Sequence, residues 1–397
     1  MTPLARTSHA SPTRNSMSLL YVTEDVPNRD PVHGNGSSMI SYEVLRHLPS
    51  DVAVSLVTFQ GEADLPDEIR ARCDTVVLLQ CRGPRQASFV SALSPLSIGA
   101  AARATREARR AISRLSQAAD ATLLHGPHVA PLASHVRGPM VIQVVDPWSM
   151  RVDMEVELAR RLRARYRRRK AKQAFALELR FPREAQLLTV GRADAEAWSA
   201  RLQRPVRSIA NGVDPIQTRW TPPPVPTVSF VGSLSYPPNI ESATVLAREI
   251  GPRIWRQVPE AKFVIAGRQP APEVWSLASD RVEIRPNVRE VQEIYASSSV
   301  AVFADRHGLG VRNSVREALG CGLPVVASRF AAREQPPHPL LHVAQDEDQL
   351  VALTLDALGH SASPPASPDT ASSITASRTW TEVAQEYIAL CREVAER

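Results

Sequence analysis

The sequence predicts an α/β protein of two Rossmann-like, doubly wound domains facing a cleft. Three observations lead there. Short apolar runs alternate with helical stretches along most of the chain, the mark of a parallel sheet covered by helices. The 397 residues exceed one domain of roughly 100–200 residues. Near the middle, the segment Thr221-Pro222-Pro223-Pro224-Val225-Pro226 interrupts the alternation as a hinge would.

Residues 1–16 are polar and lack an apolar stretch, so they read as a disordered leader rather than a signal peptide. Met17 follows and offers an alternative start. The N-terminal domain is assigned to 17–214. Its strands are expected at Ser18–Val22, Val52–Thr58, Thr75–Leu79, Ala121–Leu124, Met140–Val145 and Gln186–Val190, with helices such as Ser37–Leu48 and Ile98–Ala118 between them. The hinge spans 215–226. The C-terminal domain, 227–360, resumes the pattern with strands at Val228–Val231, Lys262–Ala266, Val282–Ile284, Val300–Phe303 and Val325–Ala327. Residues 361–373, rich in Ser, Ala and Pro, read as a flexible linker. In 374–397 the spacing of Trp380, Val383, Tyr387, Ile388 and Cys391 predicts an amphipathic helix. The pattern alone leaves open whether it caps the second domain or reaches the first.

Composition excludes several classes. No run of about 18 uncharged apolar residues occurs, so no membrane-spanning helix is expected. Cys73, Cys81, Cys321 and Cys391 lack metal-site spacing and read as reduced thiols of a cytoplasmic protein. The net charge of +6 is mild and suits an anionic small substrate or a membrane surface. No Walker loop, zinc-site spacing, hydrolase arrangement or D-x-D metal motif is evident, so no metal and no cofactor is expected. Nucleic acid is not expected as a partner, for want of interleaved aromatics or a recognition motif.

The segment Gly308-Leu309-Gly310-Val311-Arg312-Asn313-Ser314-Val315-Arg316-Glu317-Ala318-Leu319, followed by Gly322-Leu323-Pro324-Val325-Val326, carries the most chemistry. A glycine loop that opens a helix leaves backbone N–H groups free for phosphate oxygens. Arg312 adds a cation for the same anion. Glu317, more than a turn into the helix, is placed to accept from ribose hydroxyls. The segment reads as a holder for a nucleoside diphosphate, or as an ordinary strand–helix–strand unit that starts with glycines.

This loop resembles the nucleotide-sugar signature of the family 4 glycosyltransferases, G-x-G-x-R-x-K-x-x-E-A followed by G-x-P-V-V. Gly308, Gly310, Arg312, Glu317, Ala318, Gly322, Pro324, Val325 and Val326 match. Ser314 stands where the family has Lys. Leu309 stands where many members have the first Glu of a pair whose second is Glu317. Phe230-Val231-Gly232-Ser233-Leu234 with Tyr236, Pro237 and Asn239 is similar to the opening of the family's second domain. Pro252, Pro259-Glu260-Ala261 and Ile265-Ala266-Gly267 resemble the stretch that follows, and Asn211-Gly212-Val213-Asp214 resembles the domain junction. The resemblance covers most of residues 17–330 and is loose in the first domain.

The resemblance implies the two-domain GT-B fold, a last helix that crosses back to the first domain, and glycosyl transfer from a nucleoside diphosphate sugar with retention and without metal. It implies a donor site at Gly232, Arg268, Asn287, Val288, His307, Gly308, Leu309, Gly310, Val311 and Ser314, with Arg312 and Glu317 acting on the diphosphate and ribose. Arg268, Arg306 and His307 are the nearest basic groups to make good the missing Lys. A non-catalytic nucleotide-sugar binder of the same fold is the alternative, with Ser314 as its support.

The acceptor is left unnamed: a saccharide, a lipid-linked sugar or a small molecule. Its side of the cleft is assigned to His125 and to His33, Gly34, Asn35 and Gly36, which follow the first strand, with Ser37 available as a helix N-cap. Asp146 ends the run Val141–Val145 and would orient or deprotonate an acceptor hydroxyl, or else cap the turn before Pro147. His125 and His128 flank Gly126-Pro127 and read as loop hydrogen bonding or cleft contact. Arg160 to Lys172 is almost wholly Arg and Lys. It reads as a solvated helix or as a peripheral contact with an anionic membrane.

Overall fold

The structure is a computed structural model that describes residues 17–157, 161–213, 220, 222–307, 310–360 and 378–397, with the side chains of 155–166 and 360 set aside. The leader, the 361–373 linker, Arg160, Gly308, Leu309 and most of the 215–221 part of the hinge therefore lie outside the described residues.

The N-terminal domain runs β1 (Met17–Thr23), α1 (Gly36–His47), β2 (Val52–Phe59), α2 (Asp67–Arg72), β3 (Thr75–Leu79), α3 (Pro84–Leu93), α4 (Ile98–Arg103), α5 (Arg106–Ser116), β4 (Ala121–His125), β5 (Met140–Gln143), α6 (Trp148–Glu157), α7 (Arg161–Glu178), β6 (Gln186–Thr189), α8 (Arg192–Leu202) and β7 (Val206–Ser208). The seven strands form one sheet in the order β3-β2-β1-β4-β5-β6-β7, parallel throughout.

The C-terminal domain runs β8 (Thr227–Val231), α9 (Pro237–Val245), α10 (Gly251–Trp255), β9 (Lys262–Gly267), α11 (Pro272–Trp275), β10 (Val282–Pro286), α12 (Val291–Ala296), β11 (Val300–Phe303), α13 (Asn313–Gly320), β12 (Val325–Ser328), β13 (Leu341–Ala344) and α14 (Glu347–His360). Its six-stranded sheet has the order β10-β9-β8-β11-β12-β13, again parallel.

Strands such as β1, β4, β8 and β11 are apolar along most of their length because both faces are covered. Two short strands, β7 and β13, were not expected from the pattern. Both lie at sheet edges, where partial exposure weakens the apolar run. The helix expected over Ile98–Ala118 is two helices. Thr105 caps the second, its hydroxyl accepting from the Ala108 amide at 3.1 Å, and the chain turns there.

The last helix, α15 (Trp380–Ala395), packs its Trp380, Val383, Tyr387, Ile388 and Cys391 face into the N-terminal domain's core, against α1, β4 and β5. Thr379 and Glu382 form a reciprocal cap at its start. The domain junction is tied to that start: the Val213 amide donates to the Arg378 carbonyl at 2.8 Å. A Cβ on Gly212 would stand 2.6 Å from the Trp380 nitrogen, so glycine is required for this close approach. Among the described residues, no helix is long and apolar enough to cross a membrane.

Candidate active site

Strand order reverses between β1 and β4 in one sheet and between β8 and β11 in the other. A crevice opens at such a reversal, outside the carboxyl ends of the strands. The residues that follow these four strands therefore define the site.

In the C-terminal domain the centre is Arg312, just before α13. Its guanidinium lies over the rings of Phe230 and Phe303, 5.1 and 4.8 Å from their centroids. These rings belong to β8 and β11. Nη1 donates to Asp305 Oδ2 at 2.5 Å and to Asn239 Oδ1 at 3.1 Å. Nε and Nη2 are buried, with no hydrogen-bond partner among the described residues. Arg312 is thus not the wholly free cation that the sequence suggests. Asp305 neutralises part of it, and two N–H directions remain for an incoming anion.

The strand ends are packed tightly around it. Gly267 has φ +150°, and a Cβ there would lie 1.7 Å from the Gly232 carbonyl oxygen. A Cβ on Gly232 would meet Asn239 Nδ2 at 2.9 Å. Asn287, with φ 51°, donates its amide to the Gly267 carbonyl at 2.7 Å and accepts from the Gln269 amide at 3.0 Å. Its side chain locks the turn after β10. Val288 packs on the domain core.

The groups expected to replace the missing Lys fare differently. Arg306 bonds Glu249 at 2.7 Å and Glu347 at 2.5 Å, so it is committed elsewhere. The His307 ring packs beside Phe330, with centroids 6.3 Å apart. Arg268 is the one that lies near Glu317 and Asp30. Burial pulls its pKa down while those two carboxylates hold it up. Glu317 is half-buried in α13 and close enough to raise the Tyr295 and Cys321 pKa values as well. Ser314 contributes its carbonyl, which accepts from the Tyr295 hydroxyl at 3.0 Å.

Across the cleft, the loop after β1 is built on Asp30. Its carboxylate accepts from the amides of Val32 and His33 at 2.8 and 2.7 Å. Gly34 donates to the Asp30 carbonyl at 3.0 Å, and a Cβ on Gly34 would lie 2.6 Å from that oxygen. The loop meets the C-terminal domain where Gln269 Nε2 donates to the Val32 carbonyl at 2.9 Å. Asn35, not Ser37, caps α1: its Oδ1 accepts from the Ser38 amide at 2.9 Å. Asn35 wins because its extended backbone also lets Ser38 bond back to it. Gly36 has open space around it. His33 pairs with Glu62 at 2.8 Å.

His125 lies beneath the start of α1, where a backbone hydrogen bond links it to Ser37. It is fully buried, its Nδ1 3.0 Å from the Tyr21 hydroxyl, and burial drives its pKa down to about 3. His128 packs edge-on against Trp148, with Nδ1 3.2 Å from the Ser97 hydroxyl, and its pKa falls to about 4.

Glu24, which follows β1 directly, was missed. It is buried, accepts from the His128 amide at 2.9 Å, and is pressed by Gly126 at φ +112°. Burial, then the neighbouring Asp25, push its pKa up to about 7. Position was the available signal: Glu24 follows β1 as Asp146 follows β5.

Asp146 follows β5 and faces the loop before α13, its Oδ1 2.5 Å from where a Cβ on Gly310 would be. Burial, opposed by Arg151 and reinforced by Asp194, raises its pKa to about 6. Gly310, at φ +75°, donates its amide to Asp194 Oδ2 at 2.7 Å. Asp194 is also ion-paired to Arg333 at 2.8 Å. The Glu334 carboxylate accepts from the Arg192 and Ala193 amides, so one domain caps a helix of the other. Val311 packs on the N-terminal core. At the junction, Asn211 Nδ2 donates to Asn313 Oδ1 at 3.1 Å and Arg316 Nη1 to the Asn211 carbonyl at 3.0 Å.

The whole architecture is shared with solved structures. HepE from Anabaena, crystallised with UDP and glucose, superposes with a TM-score of 0.64 over 95% of this chain and 100% of its own, at 13% identity. The chain has the GT-B fold. The α,α-trehalose 6-phosphate synthase from Burkholderia multivorans aligns at TM-score 0.59 over 96% of this chain and 99% of its own, at 13% identity. TarM aligns at 0.61 over 94% and 98%, at 10% identity. Within the GT-B fold, residues 225–360 match the family model described as Glycosyl transferases group 1. No curated protein matches the sequence significantly. The GT-B comparison accounts for the two sheets and the cleft between them.

Proposed function

We propose that the protein transfers a glycosyl group from a nucleoside diphosphate sugar to an acceptor hydroxyl. The observation that carries this reading is Arg312, whose Nε and Nη2 are buried and unpartnered among the described residues at the β8/β11 crevice. Two unsatisfied buried donors beside a helix N-terminus suit a diphosphate. The group 1 match over the same domain, and the UDP and UDP-glucose in the HepE crystals, support a uridine nucleotide sugar, with a hexosyl group transferred.

In this reading Arg312 and the α13 amides stabilise the departing diphosphate as its charge develops. Glu317 holds the ribose. The anomeric C–O bond to the β-phosphate breaks, and a new C–O bond forms to the acceptor on the same face, with retention. The acceptor proton passes to the leaving phosphate oxygen, and no metal is required. Arg268 takes the place of the absent lysine.

A second reading, a non-catalytic nucleotide-sugar binder, is favoured by one observation: Asp305 already neutralises Arg312, and Ser314 supplies no cation. Thermal shift against UDP, GDP, ADP, TDP and their sugars identifies the base by mass action. Nucleoside diphosphate release across an acceptor panel then separates the two. Glu317→Ala is expected to weaken donor binding by about 1.5–3 kcal/mol. Stabilisation by nucleotides without release from any donor would support the binder.

A further inference from the structure

Arg151, in the first turn of α6, is a cation of the N-terminal domain that the transferase reading does not use. It sits at the carboxyl ends of the strands. Its charge bears on Asp146, which follows β5, and on His128, which follows β4. Its guanidinium crosses the cleft and lies over the ring of Tyr236 in the C-terminal domain, 5.4 Å from the centroid. Its Nε is buried, and among the described residues it has no hydrogen-bond partner and no carboxylate paired with it.

Tyr236 ends the turn that begins at Gly232, and that turn belongs to the Arg312 site. A Cβ on Gly232 would stand 3.5 Å from Arg312 Nη2. Asn239 ties the turn to the same cation: its Nδ2 donates to the Ser233 carbonyl at 2.9 Å, and its Oδ1 accepts from Arg312 at 3.1 Å. One short turn therefore has an arginine at each end, one from each domain. Among the described residues, Arg151 and Arg312 are the arginines that bury an N–H without a partner, and both lie over aromatic rings. Stacking engages the face of a guanidinium and leaves its in-plane N–H groups for a ligand. A buried donor without an acceptor is costly. A brace between domains would be served by the stacking alone, whereas an anion in the cleft satisfies both cations.

We propose that Arg151 is a donor-binding residue, reaching from the N-terminal domain to the diphosphate that Arg312 holds from the C-terminal domain. Arg151 has this role only if the protein binds a nucleoside diphosphate, as the glycosyl-transfer reading requires. The diphosphate then bridges the two domains, so donor binding and the seating of one domain on the other are coupled.

The test is calorimetric titration of the full chain with UDP and with uridine. Arg151→Gln should lower UDP affinity by about tenfold or more and leave uridine affinity unchanged. Arg151→Lys should recover part of the loss, since it keeps the charge but not the planar fork. It also carries the comparison if Arg151→Gln does not fold. Wild-type affinity for UDP should fall with salt more steeply than that of Arg151→Gln. If GDP, ADP or TDP is the nucleotide that binds, it and its nucleoside replace UDP and uridine. Equal UDP affinity in wild type and both variants overturns the proposal and leaves the transferase reading standing. Loss of inorganic phosphate binding by the UDP-saturated variant would then assign Arg151 to a phosphorylated acceptor. Equal losses for UDP and uridine also overturn the proposal and make Arg151 a brace between the domains. A wild type that binds none of the four diphosphates removes the transferase reading, and the role of Arg151 with it.

Discussion

Asp194 of the N-terminal domain accepts a 2.7 Å hydrogen bond from the amide of Gly310 in the donor loop. A carboxylate thereby holds an N–H of the kind a phosphate would take. Arg333 and Glu334 fasten the same end of α8 from the opposite domain. Any anion that took the Gly310 amide would have to displace Asp194.

Removing Asp194 should loosen that seam measurably. Asp194→Ala leaves the Gly310 amide without its acceptor and Arg333 without its partner. A loss of about 1.5–3 kcal/mol in unfolding free energy is expected from urea titration. Asp194→Asn should lose less, since an amide oxygen still accepts from Gly310. Equal stability of Asp194→Ala and wild type would show that the seam contributes nothing to the fold.

Arg312 has two tasks, and substitutions should separate them. Arg312→Ala strands the buried Asp305, and breaking a buried pair costs about 3–5 kcal/mol. Arg312→Lys retains the charge for Asp305 but presents fewer donors to an anion. It should fold and bind UDP weakly in calorimetry. Ser314→Lys should leave UDP affinity unchanged or raise it. Full UDP affinity in Arg312→Lys would place the diphosphate elsewhere.

Glu24 gives the fold a pH dependence of defined sign. Its pKa is raised from 4.5 to about 7 in the folded chain. The native state therefore holds more protons than the unfolded state between those values, and stability falls as pH rises through that window. Above about 7 the contribution is flat. Glu24→Gln, which mimics the protonated form, should flatten the slope in urea titrations run across the window. A slope identical to wild type would show that Glu24 does not titrate there.

Two glycines in similar loops should behave oppositely. Gly310→Ala places a side chain at φ +75°, with its Cβ 2.5 Å from Asp146 Oδ1. A left-handed residue with a Cβ costs about 1–2 kcal/mol before the clash is counted. Gly36→Ala has open space at a helix start, and should be neutral or stabilise by about 0.4–1 kcal/mol. Differential scanning calorimetry of both variants checks the pair. A Gly310→Ala protein as stable as wild type would mean that the loop is not held against Asp146.

The strands and helices were legible because their signals are periodic and local. Most strands carry a run of apolar residues, and only β7 and β13, half-covered at sheet edges, escaped notice. The start of α13 was legible for a similar reason: Gly310, Arg312 and Glu317 lie within one short segment. Side-chain burial was not legible. His125 ends a strand, and the neighbouring Tyr21 and the start of α1 enclose it. Nothing near His125 in the chain announces that burial.

The sequence by itself determined two parallel α/β domains, because the periodicity of their strands and helices acts over a few residues. Tertiary structure alone decided the partners. Asp194 and Gly310 are 116 residues apart, Glu24 and His128 104 apart. Even Asp305, seven residues from Arg312, meets it only because β11 and α13 return to the same crevice. The charge state and availability of a buried group depend on what surrounds it in space, and one chain can place any distant residue there.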